Sequence, residues 1–161
     1  NLGKIIDRLK RDDNGGLVEL AKDYLNINLN NSSDKAMLLK ALGQIQNGLS
    51  SKNPGNFKAG MGGERSNYDA YVRENGQDVR WLDGVSAMTY ENVIYFNTQA
   101  FGKSNCPMDE ILVHEEAHLS SYARNKPEYY EVDGCDLTGI PNNEKLINAD
   151  NWRKFYSEVL K

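Results

Sequence analysis

The chain has 161 residues, 39% of them hydrophobic and 26% charged, with a formal net charge of −4. That length and composition fit one domain with its own core and exclude a fibrous repeat or a disordered segment. The basic residues are dispersed, which excludes an electrostatic footprint for nucleic acid or an anionic membrane, and no apolar run reaches the length of a membrane span.

The first fifty residues read as a helical subdomain. Leu2, Ile5, Ile6 and Leu9 recur at helical spacing, and Leu17 to Leu25 continues the pattern after an Asn-Gly-Gly break. Ser33 is placed to cap a third helix with an apolar stripe of Met37, Leu38, Leu42 and Ile45, and Gly48 is placed to end it. This subdomain reads as a packing layer rather than as a wall of a substrate cleft. Residues 51–66 form a Gly-rich connection without a phosphate-loop pattern. Strand-type runs follow at Val79–Leu82 and Asn92–Phe96, with a turn at Gly84 and Met88–Tyr90 between them.

Pro107 and the acidic pair Asp109 and Glu110 open the next helix, with the carboxylates at the positive end of its dipole. Its sequence contains His114-Glu-Glu-Ala-His118, and these are the only two histidines in the chain. Residues i and i+4 of a helix share a face, so both imidazoles can grip one Zn²⁺, with Glu115 placed to take a proton from the metal's water. The pattern HExxH therefore points to zinc-dependent hydrolysis. Helix gives way near Ser120, an irregular stretch runs from Asn125 to Pro141, and a last amphipathic helix is expected from about Asn142 to Leu160.

Cys106 and Cys135 flank the HExxH helix. A disulfide between them suits an oxidising compartment; two buried thiols, or a zinc thiolate from Cys135, are the other readings. The chain opens at Asn1 with neither Met nor a signal-type segment, which points to a mature chain or excised domain, secreted or delivered outside the producing cell.

A catalytic zinc takes three protein ligands and keeps a fourth position open. The metzincin pattern is excluded because Ser121 and Arg124 stand where it needs Gly and a third His. The remaining candidates are Glu128, Asp133, Asp136 and Glu144, besides Cys135. Glu144, on a following helix, is the gluzincin-type choice.

Downstream, Asn148-Ala-Asp-Asn-Trp-Arg-Lys-Phe155 follows the HExxH motif. With that pairing the chain, from about Asn92 onward, resembles the aspzincins, the deuterolysin-like and peptidyl-Lys metalloendopeptidases. The resemblance implies an α+β, single-domain zincin-like fold over residues 1–161, mainly helical with a small mixed β-sheet ahead of the HExxH helix. Within it, residues 1–50 are the helical subdomain and 78–161 the catalytic part. It implies Zn²⁺ on His114, His118 and a loop aspartate, for which Asp133 is chosen, with Glu115 as general base. Asp150 would orient the metal site or line the substrate pocket. Tyr129 and Tyr130 are the nearest candidates for an oxyanion partner, and in zincin folds an edge strand, here Asn92–Asn97, binds extended substrate.

The chain departs from the family in three places. Lys126–Asp136 stands where the family has a G-T-x-x-D-x-x-Y-G segment: Glu128 has nearly the family's spacing, while Asp133 has its side chain a few residues later. Glu116 is a charge in the helix, expected to face away from the metal and be solvated. Arg153 occupies the place of an acidic residue that binds lysine in lysine-specific members, which favours an acidic or neutral substrate side chain. The expected activity is a zinc metalloendopeptidase acting on protein or peptide. The alternatives are an effector or toxin protease using Glu144, paired with a cognate inhibitor or immunity protein, and a non-catalytic zinc-binding module.

Overall fold

A computed structural model describes residues 1–60, 87–90, 92–97, 106–124, 126 and 139–161. Helices α1 (Leu2–Lys10), α2 (Leu17–Leu25) and α3 (Ser32–Ser51) form where the apolar spacing requires them. Leu2, Ile5, Ile6 and Leu9 are all buried, as are Leu17, Ala21 and Leu25. Asn26 ends α2 in the left-handed region (φ 54°), its N–H bonding Lys22 O at 3.1 Å, and Ile27 N–H bonds back to Ala21 O at 3.0 Å, with Ile27 buried.

Two expectations about α3 need correction. Its start is held by Asn31, whose Oδ1 accepts from Ser33 N (2.8 Å) and Asp34 N (3.3 Å), so Ser33 is already inside the helix. Its end is not Gly48: the helix continues to Ser51. Gly48 meets a different need. A Cβ there would lie 2.5 Å from Cδ and 3.2 Å from Cγ of Glu116, and closer still to its Oε1.

Helix α4 (Met108–Ser120) carries the HExxH motif and packs on α3 and on α5 (Ala149–Val159). The last helix is shorter than the apolar pattern suggested. Lys145–Ile147 is a 3-10 turn, and the helix starts only after Asn148, whose side chain accepts from Asp150 N. Helix α5 also packs on α2, and α1 packs on α3. Trp152 and Phe155 are the largest fully buried side chains of the shared core. Asn1–Ser51 and Cys106–Lys161 make one compact unit, in which the N-terminal helices are a packing layer for α4 and α5.

Lys52–Asn105 is a second unit. Its described part is a three-stranded sheet of order β1-β3-β2, with β1 (Phe57–Gly60) parallel and β2 (Ala87–Tyr90) antiparallel to β3 (Val93–Asn97). The Gly-rich connection thus contains a 3-10 turn at Pro54–Asn56 and strand β1. Met88–Tyr90 lies in β2. Adjacent residues Ile94 and Tyr95 point to opposite faces, and both are buried, as befits a central strand. The expectation that Asn92–Asn97 is a free edge is therefore wrong. Both of its sides are already hydrogen-bonded to neighbours, which leaves no ladder for an added strand. The expected strand Val79–Leu82 lies outside the described residues. No helix among the described residues is long and apolar enough to cross a membrane, and the fold is mostly helical with a small mixed sheet.

Candidate metal centre

Helix α4 starts after Pro107, and its first-turn acids carry a second role besides the dipole. Asp109 Oδ2 accepts from Tyr156 OH at 2.7 Å; Glu110 accepts from Ser157 Oγ at 2.6 Å and from Arg153 NH1 at 3.3 Å. These bonds lock the start of α4 to α5. Burial, then the bond to Asp109, pushes the Tyr156 phenol up to about 12.

One turn further along α4, His114 and His118 bring their Nε2 atoms to 3.3 Å, with the rings nearly perpendicular and 4.9 Å between centroids. Two tetrahedral zinc ligands at the usual zinc–nitrogen distance have their donor atoms about 3.3 Å apart. The pair therefore fits a shared Zn²⁺ in donor type and in separation. Glu115 lies between them in sequence and is 3% exposed, so its carboxylate is held within the protein rather than in bulk water.

Behind His114, Asp150 Oδ1 sits 2.9 Å from Nδ1, at hydrogen-bond distance although bent from ideal alignment. A carboxylate on the far nitrogen is the usual support of a metal-binding imidazole, because it fixes the tautomer that leaves Nε2 free to donate its lone pair. Of the two roles the resemblance allowed Asp150, its described contacts are those of orientation. It faces His114 and Arg153, with its side chain only 12% exposed.

Every side chain of the segment Asn148–Trp152 is committed to a partner or to the core. Asn148 caps α5 and donates to Asn151 Oδ1 at 2.9 Å; Asn151 in turn donates to Tyr24 O at 2.7 Å, tying α5 to α2. Ala149 is fully buried, Asp150 turns to His114, and Trp152 enters the core with its Nε1 donating to Leu146 O at 2.8 Å.

Two expectations about charges are corrected. Glu116 does face away from the histidines, since it is two residues from each and so on the opposite side of the helix, but it is not solvated. It is 1% exposed and packed against Gly48 of α3, where the missing Cβ makes its room. Arg153 is likewise turned inward, with its side chain 4% exposed. Its Nε bonds Asp150 Oδ1 at 3.3 Å, and its NH1 bonds Glu110 Oε2 at 3.3 Å and lies 3.6 Å from Cys106 Sγ. Burial pulls the Arg153 guanidinium below its ordinary value, and the Glu110 carboxylate opposes that. These described contacts commit Arg153 to the protein interior rather than to a substrate side chain. The inward turn was readable in the i,i+3 spacing of Asp150 and Arg153 on one helix, but Glu110 is a non-local partner that no spacing announces.

Among the described residues, no group of three or more His, Cys, Asp or Glu side chains is gathered to hold a metal. Glu144 stands at the start of the 3-10 turn Lys145–Ile147, makes no side-chain cap bond there, and is half-buried. The candidates Glu128, Asp133, Asp136, Tyr129 and Tyr130 lie outside the described residues, as does Cys135. Cys106 is disulfide-bonded, and the chain's only other cysteine is Cys135. Compared with known proteins, the chain matches no family profile, no curated protein and no solved structure.

Proposed function

We propose that this protein is a zinc-dependent metalloendopeptidase of zincin-like architecture, similar to the aspzincins. The observation that carries the reading is the convergence of both histidine Nε2 atoms at 3.3 Å, with Asp150 behind one of them; Glu115, next to His114 in the sequence, is buried. His114 and His118 would hold the ion, and Asp133 is the proposed third ligand, with Asp136, Glu128 and Glu144 as the alternatives. Bound there, a zinc ion would supply the Lewis acidity that polarises a scissile carbonyl and lowers the pKa of a bound water. Glu115 takes the proton of the attacking water and returns it to the departing amine. Asp150 holds His114 in the tautomer that presents Nε2. The disulfide at Cys106 supports a secreted or delivered chain that works in an oxidising compartment.

The test is zinc content together with cleavage of casein or a peptide pool, measured for the parent chain and for Glu115→Gln. The variant should keep its zinc and lose cleavage by at least 10²-fold. Cleavage that survives the substitution would remove Glu115 from the mechanism, and a chain that binds no zinc would remove the whole reading. Replacing Asp133, Asp136, Glu128 and Glu144 in turn then identifies the third ligand by loss of metal.

A further inference from the structure

Asp150 Oδ1 receives two approaches at once, from His114 Nδ1 at 2.9 Å and from Arg153 Nε at 3.3 Å. Arg153 is pinned from the other side by Glu110, which is itself held by Ser157. Side-chain exposures along this line are 12% for Glu110, 4% for Arg153, 12% for Asp150 and 14% for His114, so the line runs beneath the surface. We infer that Arg153 is a positioning residue: bridging Glu110 and Asp150, it aims the Asp150 carboxylate at His114 Nδ1 and thereby fixes which nitrogen of His114 faces His118. That this orientation serves zinc rests on the function proposed above; the orientation itself is a property of the metal-free protein.

The physical argument is one of charge and geometry. Two carboxylates, Glu110 and Asp150, reach the same buried region from different helices, and the planar guanidinium satisfies both through different nitrogens, Nε toward Asp150 and NH1 toward Glu110. Without that bridge, Asp150 is free to rotate away from His114, and that rotation releases the imidazole tautomer. A lysine restores the charge but not the two-nitrogen fork, so it restores the arrangement only in part. If Nδ1–H of His114 is directed at Asp150, its Nε2 is left as the acceptor, and the 3.3 Å contact is then filled by Nε2–H of His118.

The two histidines make the test clean, because long-range ¹H–¹⁵N spectra of the metal-free protein contain imidazole signals from this site alone. At pH 8 the parent chain should show His114 protonated on Nδ1 and His118 on Nε2. Arg153→Leu and Asp150→Asn should shift His114 to a mixture or to the other tautomer. Arg153→Lys and Glu110→Gln should fall between them and the parent, which keeps the inference testable if Arg153→Leu does not fold. Zinc affinity, read by competition with a chromophoric chelator, should drop about 10- to 100-fold in the same order. A His114 tautomer that is the same in the folded Arg153 and Glu110 variants as in the parent overturns the inference, even where zinc binds. A parent chain that takes up no zinc while its His114 tautomer follows Arg153 overturns the zinc reading and supports the relay.

Discussion

Replacing Gly48 with Ala should destabilise the protein, although an alanine in place of a helical glycine ordinarily stabilises by about 1 kcal/mol. The new Cβ would lie 2.5 Å from Cδ of Glu116, whose side chain is enclosed between α3 and α4 at 1% exposure. Something must move by about an ångström, and overpacking of that kind costs roughly 1–3 kcal/mol. The contact involves backbone-anchored atoms on one side and a fully enclosed carboxylate on the other, so the upper end applies. Subtracting the propensity gain leaves a net loss of about 2 kcal/mol, or about 4–8 °C in Tm for a chain of this size. The assay is urea unfolding of four proteins: the parent, Gly48→Ala, Glu116→Ala and the double variant. In the Glu116→Ala background the obstacle is gone, and Gly48→Ala should stabilise by about 1 kcal/mol. The coupling between the positions is then about 3 kcal/mol. A Gly48→Ala protein at least as stable as the parent, or the same effect in both backgrounds, would refute the packing argument.

Other outcomes follow from the same contacts. Because the Tyr156 phenol is raised to about 12, the stability it contributes is fully present below pH 10 and is lost as pH climbs from about 10 to about 12. Tyr156→Phe should lose about 1 kcal/mol at pH 8 and close that gap over the alkaline range, in chemical unfolding followed at several pH values; a gap that widens contradicts the assignment. Asn148→Ala removes both the cap on Asp150 N and the bond to Asn151, and should cost about 2–3 kcal/mol in thermal unfolding. A loss under about 0.5 kcal/mol would mean that the cap does not hold α5. Reducing the disulfide at Cys106 should lower stability by about 2–4 kcal/mol. Identical melting with and without reductant would contradict it.

The helices of the first fifty residues were legible because each carries an apolar stripe: the buried faces of α1 and α2 follow the spacing, while in α3 Leu38, Leu42 and Ile45 are buried with Ala41, and Met37 is only half-buried. The pairing of His114 with His118 was equally legible, since helical geometry alone brings i and i+4 together. Errors arose where a distant neighbour decides the outcome. Gly48 looks like a stop until Glu116 is known to lie over it; Glu116 and Arg153 look solvent-bound until α3 and Glu110 close on them. The sheet order was hidden for a related reason. A strand at the edge and one at the centre can share the same short apolar run, and only the partners β1 and β2 make Val93–Asn97 central. Asp150 was found through a motif, but its approach to His114 joins residues 36 positions apart, beyond the reach of local pattern.

The crowded commitments of Asn148–Trp152 have an evolutionary consequence. Inserting or deleting one residue there would turn the rest of α5 by about 100°. Asp150 would then leave His114 at the same moment that Asn151 left Tyr24 and Trp152 left the core. A length change in this turn would strike folding and chemistry together, so this stretch should vary by substitution, while insertions and deletions accumulate in segments whose side chains answer to fewer neighbours.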